Sequence, residues 1–128
     1  MPERSSFELI TEDVGDAIRV VVLRGDADRY RAEAVRRTIQ GARADNRAVV
    51  VDMAETTFMD SSMLATLVAA SDDSRRRGAL LVLVVQTPRL RRSLEVKGLS
   101  GILAVAGSRT EALDLLTAEG GESVPEPA

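Results

Sequence analysis

The chain has 128 residues, enough for one domain with its own core and too few for two. It has no cysteine and no histidine, which excludes disulfides, thiolate metal sites and the commonest general base. A net charge of −3 and an aromatic content of 2% leave no global electrostatic case for nucleic acid and no platform for stacking bases or sugars.

Phe7, Tyr30 and Phe58 are the aromatics, so the core must be built from Val, Leu, Ile and Ala. The first thirteen residues contain no apolar h-region, so no signal peptide is expected. No apolar run reaches the roughly 18 residues that cross a bilayer. These features predict a cytoplasmic protein without a membrane span.

Phe7 to Ile10 reads as a short edge strand, followed by a polar turn at Glu12, Asp13, Gly15 and Asp16. Ala17 to Leu23 is β-branched and reads as the second strand of an antiparallel hairpin. Arg24-Gly25-Asp26-Ala27-Asp28 breaks that pattern. Its Arg-Gly-Asp tripeptide also has an adhesion reading, which the missing secretory signal disfavours.

Arg31 to Arg43 carries apolar residues at helical spacing, with Asp28 as the candidate N-cap. Ala48 to Met53 is apolar on both faces, as a strand covered by helices should be. After Asp60-Ser61-Ser62, Met63, Leu64, Leu67 and Val68 share one helical face, and Arg75 to Gly78 ends the helix. Ala79 to Val85 is a second buried strand. Thr87 and Pro88 then start a helix that should run to about Lys97. Ile102 to Val105 predicts a last strand, and Ser108 to Glu111 has the spacing of a capping box. Residues 118 to 128, rich in Gly, Pro and Glu, read as a disordered tail. The order ββαβαβαβα predicts an α/β fold: one mixed sheet of about five strands, its N-terminal strand antiparallel, packed against about four helices.

Catalytic readings find little support. Ser61 or Ser62 as a nucleophile lacks a histidine base, and the sole lysine, Lys97, lies far along the chain. The loops after the strands hold one glycine at most, too few to cradle a phosphate. Asp26, Asp28, Asp52 and Asp60 form a candidate magnesium cluster, although capping accounts for carboxylates at such positions. Arg75 to Arg77 with Arg89, Arg91 and Arg92 could make a basic patch or could be solvated helix ends.

Asp60-Ser61-Ser62 is first of all a good helix cap. The same geometry also suits a switch. A phosphate on Ser61 would bring a charge of about −1.5 to −2 to a helix N-terminus, which the helix dipole tolerates. An apolar or acidic partner docked there could not accommodate the new dianion.

These residues resemble the STAS domains of the bacterial anti-sigma factor antagonist (anti-anti-sigma) family, over about residues 7 to 117. The likeness is strongest at Asp52 and Phe58 to Leu64, a strand followed by Phe-Met-Asp-Ser-Ser and an apolar helix. It is supported by Leu23 to Asp28 and by Pro88 to Leu99. The resemblance implies a STAS domain over residues 1 to 117. It implies a binding module, not an enzyme, with no cofactor and no direct contact with nucleic acid. It selects Ser61 over Ser62 as the residue phosphorylated by a cognate anti-sigma factor with serine kinase activity. The unphosphorylated form would bind that kinase and free the sigma factor, and a separate phosphatase would restore binding. Asp28 and Asp26 would flank the serine, Asp60 would orient it, and Ser62 and Met63 would complete the partner-binding surface. Met63 stands where the family usually has glycine, and Asp26-Ala27 replaces Glu-Leu. The alternative role for such a domain is a non-switching subunit of a signalling scaffold or of a membrane transporter complex.

Overall fold

Five strands form one sheet in the order β1-β2-β3-β4-β5, with β1 antiparallel to β2 and the other neighbours parallel. The strands are β1 (Phe7–Val14), β2 (Ile18–Ala27), β3 (Ala48–Met59), β4 (Leu81–Val84) and β5 (Ala104–Ala106). The helices are α1 (Arg29–Ala44), α2 (Ser61–Arg76), α3 (Pro88–Val96) and α4 (Arg109–Leu116). The coordinates come from a computed structural model and describe residues 6–45, 47–99 and 101–117. The tail expected at 118 to 128 lies outside the described residues.

From β2 onward each strand adds beside the one before it. Right-handed crossovers in a single direction place every connecting helix on the same face. One core layer accordingly joins Val35 and Ile39 of α1, Met63 and Leu67 of α2, and Leu90 and Leu94 of α3 to Val21, Val49, Val51 and Leu83 of the sheet. α4 follows the last strand and packs on the opposite face, where Ala112 and Leu116 meet Val20, Val50, Val82 and Val84. The central strands are buried on both faces, as their unbroken apolar runs require. The strand order never reverses, so the sheet lacks the switch point at which open α/β sheets commonly seat ligands.

β4 and β5 are shorter than expected, at Leu81–Val84 and Ala104–Ala106, and three strands run past their expected ends. β1 continues to Val14, because Thr11 to Val14 pair with Val21 to Ile18 although their side chains are exposed. β2 continues through the expected break to Ala27, and β3 runs six residues past Met53 to Met59. The two strands extend together by slipping register between Val22 and Arg24 and again between Gly25 and Asp26. Gly25, at φ 91°, absorbs part of that irregularity. Thr56 is buried in the extension, and its hydroxyl donates to the Leu23 carbonyl at 2.7 Å.

Helix starts follow local chemistry. The Asp28 carboxylate accepts the Tyr30 N–H at 3.0 Å to cap α1. Ser108 accepts the Glu111 N–H at 3.1 Å, while Glu111 accepts from Gly107, one residue before the cap. Thr87 makes no side-chain cap bond; its hydroxyl donates to the Thr56 carbonyl, tying α3 to the end of β3.

Candidate functional site

The extra length of β2 and β3 brings the starts of α1 and α2 side by side. The Asp60 N–H donates to the Ala27 carbonyl at 3.3 Å. The Asp60 carboxylate then serves both helices. Its Oδ1 accepts the Met63 N–H at 2.9 Å, and its Oδ2 accepts the Arg29 N–H at 2.8 Å. Two positive helix ends therefore converge on one carboxylate.

Ser61 is the first residue of α2, and Ser61 and Ser62 are both exposed. Unpaired N–H groups of a helix's first turn stabilise an anion placed there. Ser61 also lines a mostly apolar groove of about 490 Å³ together with Leu64, Ala65, Val68, Leu99, Ile102 and one carboxylate, Asp72. On the other side of the junction Phe58 is half exposed and Tyr30 is 75% exposed. The Arg29 guanidinium lies over the Tyr30 ring at 5.0 Å and donates to its hydroxyl at 3.0 Å. That hydrogen bond raises the Arg29 pKa, aided by the carboxylates of Asp60 and Asp28.

The candidate residues separate into two groups. Asp26, Asp28, Asp60, Ser61 and Ser62 share this edge, with Asp26 accepting from the Thr57 hydroxyl at 3.1 Å. Met63 does not reach the surface. It is 0% exposed and packs in the core under α2, so it has no side-chain surface to offer a partner. A methionine at this third position of the helix fills core volume instead of adding bulk outside.

The four-carboxylate cluster does not form. Asp52 alternates to the α4 face with Val50, where it accepts the Ala54 N–H and two bonds from Arg109, the shorter at 2.9 Å. No group of three or more potential metal ligands occurs among the described residues. Arg109 was not singled out from the sequence. It also binds Glu12 at 2.6 Å and so joins α4, β3 and β1. Burial works against its charge, but hydrogen bonds to Asp52 and Glu12 outweigh that and raise its pKa.

Of the arginines expected in a basic patch, Arg75, Arg76, Arg77 and Arg91 are engaged locally, while Arg89 and Arg92 form no ion pair among the described residues. Arg75 donates to the Ile102 carbonyl, Arg76 pairs with Asp72, Arg77 pairs with Asp73, and Arg91 donates to the Val85 carbonyl. Arg29 and Tyr30 are the site neighbours that sequence reading missed, whereas Phe58 belongs to the motif that carries the resemblance. Their signal was an aromatic next to a cap, in a chain with only three aromatics.

The model of the STAS domain matches residues 10–112. The chain belongs to the STAS domain family. Among solved structures, this STAS domain is similar to an anti-sigma factor antagonist from Mycobacterium paratuberculosis, with 25% identity and a TM-score of 0.77. That match covers 87% of this chain and 94% of the other. The Bacillus cell fate determinant SpoIIAA in its phosphorylated form is 23% identical, with a TM-score of 0.65 over 86% of this chain and 98% of that one. A putative anti-sigma factor antagonist from Thermotoga maritima is 18% identical, with a TM-score of 0.71 over 84% and 93%. At these identities the second and third matches carry the fold alone. Among the described residues of the STAS domain, no helix is long and apolar enough to cross a membrane.

Proposed function

We propose that this STAS domain is an anti-sigma factor antagonist that acts by binding and is switched at Ser61. In its unphosphorylated form it binds an anti-sigma factor with serine kinase activity and so releases a sigma factor. Phosphorylation of Ser61 ends that binding, and a phosphatase restores it.

The observation that carries this reading is the exposed Ser61 hydroxyl at the first position of α2, beside an Asp60 carboxylate already occupied by two N–H groups. Asp60 is spent on holding the junction, so it fixes the serine's position without serving as a base. Asp26, Asp28 and Ser62 flank the serine as contact residues. A phosphate on the wall of this mostly apolar groove must be desolvated or paired when a partner covers it. The loss of a few kcal/mol at such an interface lowers affinity about a hundredfold. The antagonist relative at 25% identity supports the role.

Incubating the protein with the cognate kinase and ATP, followed by mass spectrometry, should place one phosphate on Ser61. Equal labelling of Ser61→Ala would reject the site. Ser61→Asp should weaken partner binding about a hundredfold, and unchanged affinity would reject the electrostatic switch.

A further inference from the structure

A second groove, of about 610 Å³, runs between α1 and α2, and Ser61 is not among the residues that line it. Its apolar lining comes from Ile39, Ala65, Ala69 and Ala70. Arg36, Arg43 and Arg77 also line it, against one carboxylate, Asp73. In a chain of net charge −3 this is a local reversal of sign.

The three arginines are not equivalent. Arg36 pairs with Glu33 on its own helix, and Arg77 pairs with Asp73 at 3.1 Å. Arg43 has its Nε and Nη1 atoms buried without a hydrogen-bond partner among the described residues. Burial lowers its pKa, the nearby Arg77 charge lowers it further, and Asp73 only partly offsets them. Those two donors are closed off by the protein itself, so a ligand meets Arg43 through its charge at the groove wall, where a carboxylate beside a partly buried guanidinium offsets the cost of its desolvation.

The geometry points to a binding site for a small organic monoanion: a carboxylate at Arg43 and Arg77, with an aliphatic tail over Ile39, Ala65, Ala69 and Ala70. The groove volume lies within the range of small-molecule sites. A monoanion fits better than a phosphate dianion, because Asp73 sits at the same end and repels the second charge. The aliphatic lining, in a groove without an aromatic wall, suits a saturated tail.

Octanoate, 1-octanol, octylamine and inorganic phosphate separate the two halves of this claim in an amide NMR titration of the full chain. Octanoate should give saturable shifts in residues 39–44 and 65–73, with a Kd at least tenfold below that of each other probe. Arg43→Met should raise the octanoate Kd at least tenfold, to the level of octanol. Should Arg43→Met fail to fold, Arg77→Met, at an exposed position, should raise it at least threefold. The site is overturned if octanol or octylamine binds as well as octanoate, if saturable shifts are absent or fall elsewhere, or if a folded variant binds octanoate as tightly as the wild type.

Discussion

The Oδ2 atom of Asp60 accepts the backbone N–H of Arg29 at 2.8 Å, so the residue that caps α2 also fastens the start of α1. An ordinary N-cap replaced by alanine costs about 1 kcal/mol. Asp60→Ala also removes the acceptor for Arg29 and should cost about 2 kcal/mol. Asp28→Ala, which removes a cap from α1 alone, should cost about 1 kcal/mol. Asp60→Asn keeps one carbonyl oxygen and should fall between. Urea unfolding of the three variants gives the order, and equal losses for Asp28→Ala and Asp60→Ala would mean that the bridge to Arg29 contributes nothing.

The switch requires a fold that survives the added charge. A negative group at the first position of α2 gains from the helix dipole and meets repulsion from Asp60. The stability of Ser61→Asp should therefore stay within about 1 kcal/mol of the wild type. Thermal and urea unfolding check this. A loss of several kcal/mol would mean that the aspartate abolishes binding by unfolding the junction, and the variant could no longer stand for a docking effect.

Much of this junction was legible in the sequence, and the reasons for the rest are physical. Asp60-Ser61-Ser62 announced itself because a cap is local chemistry, readable within three residues. The ends of β2 and β3 were not legible. Past Met53, exposed Glu55, Thr57 and Phe58 break the apolar run that marked the strand. The extension is held instead by backbone pairing with β2 across two register slips, which side-chain pattern does not encode. Met63 had two competing readings, inward helix residue and partner contact, and its burial decides for the first. Asp52 was grouped with the other carboxylates because all lie near strand ends, but strand alternation turns it to the opposite face. Its partner Arg109 is 57 residues away, beyond any local pattern.

That pair makes its own prediction. Asp52 is 8% exposed and receives two hydrogen bonds from Arg109. Arg109→Met keeps the aliphatic stem and strands the carboxylate, at a cost of about 2 kcal/mol, since a charged group loses its partner in a mostly buried setting. The double variant Asp52→Asn, Arg109→Met should recover part of that loss. If the double variant is no more stable than the single one, the two residues are not coupled.

Glu33 provides a pH signature on the outer face of α1. Hydrogen bonds from Arg36, and then from Arg37, lower its pKa from 4.5 to about 2. A carboxylate with a depressed folded-state pKa contributes stability above its unfolded pKa and loses it as the pH falls through the folded one. The contribution should therefore be present at pH 6 and decline between about pH 4.5 and pH 2. The group is exposed, so salt should screen much of it. Glu33→Gln should lower Tm slightly at pH 6 and low salt, and the gap from wild type should narrow as the pH falls to 2. A gap as wide at pH 2 as at pH 6 would assign the effect to something other than the carboxylate charge.

Two glycines should respond to the same substitution with opposite signs. Gly25 has φ 91°, and a Cβ there would lie 2.1 Å from the Ser6 carbonyl oxygen. That carbonyl also accepts the Asp26 N–H at 3.1 Å, so it cannot retreat without loosening the turn that leads to Asp28. Gly25→Ala should cost about 3 kcal/mol, from left-handed strain together with the steric clash. Gly41 lies within α1, and a Cβ there meets nothing within 4 Å. Gly41→Ala should stabilise the protein by about 0.5–1 kcal/mol, because glycine loses more conformational freedom than alanine in a helix. Urea unfolding of both variants decides the matter. If Gly25→Ala is neutral, the register slip in β2 does not depend on glycine, and the β2–α1 turn beside Ser61 is more adaptable than its geometry implies.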